Sequence, residues 1–137
     1  VSTVLAVDPG GTSGLAVWSD GALRATGQYS FRDLFDYVKN LSGVDHVVVE
    51  RFTLNHSTVR MSAQPTALEA IGYLRTFAWS VGSSFTLQSP ADAKRFATDE
   101  RLKGMGWLLP SRLDHANDSL RHLALFLTRS GEMEPPR

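Results

Sequence analysis

The chain has 137 residues, 42% of them hydrophobic and 20% charged, which suits one globular domain with a real core. It contains no cysteine, so disulfides, thiolate zinc sites and cysteine nucleophiles are excluded. No apolar run approaches the ~18 residues of a membrane-spanning helix and no leader-like segment opens the sequence, so the expectation is a cytoplasmic protein with no membrane partner.

Formal net charge is zero, which by itself speaks weakly against a nucleic-acid partner. Its distribution softens that objection. Residues 1–50 hold three basic and six acidic side chains, a balance of −3. Residues 51–112 hold eight basic side chains (among them Arg51, Arg60, Lys94 and Lys103) against four acidic ones, a balance of +4. Cations beside an acidic centre suit an enzyme that grips a phosphodiester backbone while carboxylates hold metal, although random charge fluctuation on a solvated surface explains so small a bias equally well.

Val4–Asp8 reads as a buried strand, apolar without interruption. Pro9–Gly14 is a strong turn, Leu15–Trp18 resumes as a strand, and Asp20-Gly21 signals a tight hairpin returning along Ala22–Tyr29. Ser30 caps an expected amphipathic helix carrying Phe31, Leu34, Phe35, Val38 and Leu41 on one face, ended by Ser42-Gly43. Asp45–Glu50 is a second apolar strand, suited to a sheet covered on both faces. Residues 51–64 lack a period and are expected to form a loop beside Glu50. A long helix is predicted from Pro65 to about Trp79, with Leu68, Ile71, Leu74, Phe77 and Ala78 inward. Then come a short strand, Ser84–Gln88, a helix Ala91–Ala97 with a cap and N1 proline at Ser89-Pro90, and a charged stretch, Thr98–Gly106. Leu113–Thr128 is the final helix, and residues 130–137 read as a frayed tail. A strand meander followed by alternating helices and strands predicts a single α/β domain over 1–137 with a mixed sheet.

Chemistry is suggested by carboxylates placed just past apolar strands. Asp8 alone reads as a turn former before Pro-Gly. Glu50 resists that explanation, because glutamate has low strand propensity and no turn role. If the two strands are neighbours, both carboxylates emerge at one sheet edge, where open α/β sheets gather functional groups. On the last helix, Ala116, Leu120, Leu123, Ala124, Phe126 and Leu127 form an apolar arc, with His115 at its margin one turn from Asp118. Asp114 in the first turn is explained by the helix dipole alone, so its place in the site is uncertain. Asn117 is either a bystander or an orienting group. Oxygen and nitrogen donors from distant elements suit Mg²⁺ or Mn²⁺ better than zinc, and two such ions together serve phosphodiester cleavage.

Val7-Asp8-Pro9-Gly10, Val48-Val49-Glu50 and His115-Ala116-Asn117-Asp118-Ser119-Leu120, taken in order, resemble the RuvC-like Holliday junction resolvases of the RNase H-like superfamily. The resemblance covers roughly residues 3–128. It implies an RNase H-like fold, a five-stranded mixed sheet flanked by helices. It implies a metal-dependent, structure-selective endodeoxyribonuclease that cuts four-way junctions and other branched DNA. Asp8, Glu50, His115 and Asp118 would be catalytic and metal-binding, with two Mg²⁺ ions per site expected, for which Mn²⁺ substitutes. Lys94 resembles the family's basic residue after the fifth strand, with Lys103 as its companion, and Phe52 resembles an aromatic wedge; Arg51 and Arg60 join them as candidate DNA contacts. The helix at 65–79 resembles the family's dimer-forming helix, with Gly72 as a close-packing point, so a homodimer is implied. Short length and neutral charge depart from typical members and fit a compact, divergent, viral one, for which the compartment would be the host cytoplasm.

Three alternatives stay open at this point. Asp8-Pro9-Gly10-Gly11-Thr12 also looks like the phosphate loop of sugar kinases and actin-like ATPases, but those need a second such domain. Another RNase H-like nuclease, acting on RNA–DNA hybrid or a related substrate, would share the metal site. A non-catalytic nucleic-acid-binding module would carry a degenerate site, against which all four positions hold competent ligands.

Overall fold

The computed structural model describes residues 2–52 and 64–137. Five strands, β1 (Val4–Asp8), β2 (Thr12–Ser19), β3 (Ala22–Ser30), β4 (His46–Glu50) and β5 (Ser84–Gln88), form one sheet in the order β3-β2-β1-β4-β5. The β1–β2 and β2–β3 pairs are antiparallel, while β1–β4 and β4–β5 are parallel, so the sheet is mixed as expected. The β2–β3 hairpin turns on Asp20 (φ 54°) and Gly21 (φ 75°), two left-handed residues in succession, the twist that a two-residue hairpin requires.

Strand alternation divides the interior in two. Leu5, Val7, Val47 and Val49 face α1 (Phe31–Val38) and α2 (Gln64–Val81), packing on Leu34, Val38, Ala70 and Leu74. Val4, Ala6, Ala16 and Val48 face the other way, onto α5 (Asp114–Arg129), meeting Leu120, Leu123, Ala124 and Leu127. Both β1 and β4 are thus covered on each side, which explains their uninterrupted apolar sequences. A leucine buried this completely contributes about 1.5–3 kcal/mol over exposure, and Leu123→Ala would cost about 2–5 kcal/mol with its cavity.

Several expectations shift. The first helix ends at Val38 with Lys39 as its C-cap, before Leu41, because Leu41 closes a turn through its N–H to the Val38 carbonyl. Leu68 is 42% exposed, since the inward face of α2 is formed by Ala67, Ala70, Leu74, Phe77 and Ala78. Between α3 (Pro90–Phe96) and the last helix lies α4 (Asp99–Gly104), a helix where a charged stretch was expected. Thr98 caps it by accepting from Arg101 N–H, and Leu102 anchors it in the core. The segment after α5 is tied down at its start. Glu132 accepts from the Ser2 N–H (3.1 Å) and hydroxyl, and Met133 packs on the core.

Candidate active site

Strand register assembles the centre of the site. Val4 pairs with His46 and Val7 with Val49, so the next step brings Asp8 beside Glu50 at the carboxyl ends of adjacent parallel strands. Glu50 in turn pairs with Gln88, Asp8 with Gly14, and Gly14 with Gln28. Gln28, Gly14, Asp8, Glu50 and Gln88 therefore form one row across all five strands. By alternation from Val4, Ala6 and Val48, the row faces α5.

The N-terminus of α5 is seated on that row. Gln28 Oε1 accepts from the backbone N–H groups of both His115 (3.0 Å) and Ala116 (3.2 Å), satisfying two donors that a helix start leaves free. Gly14 admits the helix at close range: a Cβ there would stand 1.8 Å from the His115 carbonyl oxygen. Asp114 is exposed, and its Oδ1 accepts from the His115 N–H (3.0 Å), which gives it a local job at the positive end of the helix. Asn117 is buried and grips Leu109 at both its N–H (2.9 Å) and its carbonyl (3.0 Å), holding the approach to α5 in place.

Three side chains reach down from α5 at i, i+3 and i+7. His115 Nδ1 lies 3.1 Å from Asp8 Oδ2. Asp118 borders the same cleft, with one oxygen 3.2 Å from Arg121 Nε. His122, fully buried, places Nε2 3.0 Å from Glu50 Oε1 and Nδ1 2.9 Å from Gln88 Oε1. The cleft of about 460 Å³ is lined by Asp8, Glu50, His115 and Asp118, the Pro9–Thr12 turn, Phe52 and Ala67. The four acidic and imidazole groups singled out in the sequence thus share one cavity.

Electrostatics in the cleft centre on Asp8. Burial pushes its carboxyl up to about 8, reinforced by the neighbouring Glu50 and Asp118 and opposed by the bond to His115. Burial also acts on Glu50, but the His122 and Asp8 hydrogen bonds and the nearby Lys94 charge outweigh it and hold Glu50 below its ordinary value. The two carboxyls are thus pushed apart, Asp8 toward its protonated form and Glu50 toward its ionised form. His115 is raised, chiefly by its bond to Asp8.

Among the described residues, no three of these groups converge into a finished cation cage. Asp8 and Glu50 each commit one oxygen to an imidazole. Their other oxygens and Asp118 are hard donors in a crowded anionic setting, the chemistry that a divalent cation relieves. Asp8, Glu50 and Asp118 are the residues that could hold a divalent cation such as Mg²⁺ or Mn²⁺.

The remaining sequence candidates are more dispersed. Arg51 is exposed just past β4, its N–H bonded to the Gln88 carbonyl (2.7 Å), and Phe52 lines the cleft. Lys94 on α3 is near enough to act on Glu50, whereas Lys103 is exposed on α4. Arg60 and most of the expected 51–64 loop lie outside the described residues. A separate cleft of about 490 Å³ between α3, α4 and α5 is bordered by Arg95, Arg101 and Arg129. Sequence reading missed Gln28, Gln88, Arg121 and His122. For His122 a signal existed, since it continues the 115, 118 stripe at helical spacing.

No family model matches the chain, and no curated protein matches its sequence. Solved structures do match. RuvC of Thermus thermophilus in complex with a Holliday junction substrate superposes with a TM-score of 0.67 at 18% identity, covering 98% of this chain and 99% of that one. A second Thermus thermophilus RuvC structure gives 0.67 at 20% identity, covering 97% and 99%. The chain has the RuvC fold. A Pseudomonas aeruginosa protein similar to the peptidase YeaZ matches more loosely, with a TM-score of 0.50 at 18% identity over 77% of this chain and 50% of that longer one. The RuvC likeness spans both chains end to end, so the RNase H-like architecture expected from the sequence, five mixed strands with flanking helices, is the one observed.

Proposed function

We propose that the protein is a Mg²⁺-dependent, structure-selective endodeoxyribonuclease that cuts four-way junctions and related branched DNA. The observation that carries the reading is the Asp8–Glu50 pair on adjacent strand ends, roofed by His115 and Asp118. The RuvC fold adds to it, and the matching Thermus thermophilus RuvC structure is in complex with a Holliday junction substrate.

Asp8, Glu50 and Asp118 are the residues that would hold the cation, or two of them. When bound, such an ion polarises the phosphoryl oxygen and acidifies a water. The residues of the chain do the rest. His115 Nδ1 is engaged by Asp8, so Nε2 is the nitrogen left to accept a proton from the attacking water. The His115 side chain is 42% exposed, which leaves it open to a substrate at the mouth of the cleft. As the water oxygen bonds to phosphorus, the bond from phosphorus to the sugar oxygen breaks; that oxygen takes up a proton from solvent, and His115 returns its proton to solvent. Lys94, Arg51 and the arginines of the α3–α4–α5 cleft supply backbone contacts, and Phe52 supplies an aromatic face beside the cut. Homodimerisation through α2, which exposes Leu68, Gly72, Thr76 and Trp79 along one stripe, would place two such centres on one junction.

The test is a nicking assay across duplex, flap, four-way junction and RNA–DNA hybrid, with and without Mg²⁺. Wild type is expected to cut the four-way junction only with the metal, and Asp8→Asn to bind it without cutting. Cleavage retained by Asp8→Asn would sink the assignment, and preference for the hybrid would move it to another RNase H-like activity.

A further inference from the structure

We propose that His122 and Gln88 are positioning residues that set which oxygen of Glu50 the site presents. The consequence for catalysis rests on the nuclease reading above; the geometry does not.

Glutamate ends a strand with three free side-chain torsions, so an untethered Glu50 carboxylate would sample several orientations across the cleft mouth. The structure removes that freedom. His122 Nε2 lies 3.0 Å from Oε1, which leaves Oε2 for Asp8 and the cleft. With Glu50 ionised, it is Nε2 that carries the proton and donates. The imidazole is also held on its other side, where Nδ1 is 2.9 Å from Gln88 Oε1; with Nε2–H given to Glu50, this contact has a donor when Nδ1 also carries a proton or when the Gln88 amide is turned to offer its N–H. Gln88 is only 4% exposed, and its backbone is pinned by pairing with Glu50 and by the Arg51 N–H. The chain of contacts therefore runs from the β5 end through a buried ring on α5 back to a carboxylate on β4.

A core histidine that merely needed satisfying would fit this description less well. Both of its partners are side chains of the row that holds Glu50, and an apolar residue would pack between sheet and helix without the burial of polar groups. His122 is also one turn beyond Asp118 on the same face of α5, so the helix that delivers Asp118 and His115 also aligns Glu50.

The test compares wild type with His122→Leu and His122→Gln, the latter retaining an N–H near the Nε2 position. Crystal structures of all three report the Glu50 orientation, and single-turnover cutting of a four-way junction over a Mg²⁺ titration reports the consequence. His122→Leu is expected to release the Glu50 carboxylate and to raise the Mg²⁺ needed for half-maximal rate about 10–100-fold, with junction binding kept. His122→Gln should restore most of both. An unmoved Glu50, or an unchanged Mg²⁺ requirement with only a lower melting temperature, would overturn the proposal. Should wild type cut no substrate, the nuclease reading fails and the Glu50 orientation alone decides the positioning role. Should His122→Leu not fold, Gln88→Leu carries the same two readouts.

Discussion

Gly14 and His115 meet backbone to backbone, with room for no side chain between them: a Cβ on Gly14 would come within 1.8 Å of the His115 carbonyl oxygen. That contact lets the first turn of α5 settle over β2 and puts the His115 ring 3.1 Å from Asp8. Gly14→Ala must therefore lift the helix start or bend the strand. Overpacking of this kind costs about 1–3 kcal/mol or more. Thermal melting should show the loss, and junction cleavage should fall further than stability does. A variant with wild-type melting and wild-type cleavage would show that the close approach is dispensable.

The Asp8 carboxyl gives a pH dependence of defined sign. Its folded value, about 8, exceeds the ordinary 3.8, so the fold favours the protonated form. That contribution to stability is fully present at low pH and is lost as pH rises through the folded value. His115, also raised, acts in the same direction. With chelator present, the melting temperature attributable to Asp8 should decline between about pH 4 and about pH 8. Asp8→Asn should flatten the decline, and Mg²⁺ should offset it in wild type only. An identical pH profile for the two proteins would contradict the crowded-carboxylate description.

Backbone contacts predict a salt signature. Replacing Lys94, Arg95 or Arg101 with alanine should weaken four-way junction binding for every sequence alike. Each loss should reduce the slope of log affinity against log salt by about 1. Fluorescence anisotropy at several salt concentrations measures this, and a slope unchanged in all three variants would remove the α3–α4 surface from the DNA path.

The exposed stripe on α2 predicts a self-association surface. Trp79 is 71% exposed and Leu68 42% exposed, on an element whose opposite side is core. The double variant Leu68→Glu, Trp79→Glu should sediment as a monomer, and should nick a junction on one strand at a time where wild type cuts two together. Unchanged sedimentation of wild type and variant as monomers would place the dimer surface elsewhere or nowhere.

What could be read from the sequence was whatever a residue's immediate neighbours determine. β1 and β4 were legible because burial on both faces leaves only apolar residues, and Asp8 and Glu50 stood out against those runs. The Asp20-Gly21 turn was legible because its backbone demands those residues. Gln28, Gly14 and Gln88 were not, because their roles arise from register across five strands, and nothing local to each distinguishes it from an ordinary strand residue. His122 was passed over because its helix supplies an apolar arc that a buried imidazole does not disturb. The short α4 escaped because one buried leucine, Leu102, among charged neighbours gives no period to detect.

The row that joins Gln28 to Gln88 has a consequence for the timing of synthesis. Asp8 is made well before His115, Asp118 and His122. Strand order places β1 between β2 and β4, so the centre of the sheet can pair once β4 is made, long before α5. A nascent chain lacking α5 would hold its two strand carboxylates without a roof over them. The cleft is then completed in one step, as α5 docks, so a copy that stops short of α5 never gathers the four groups that line it.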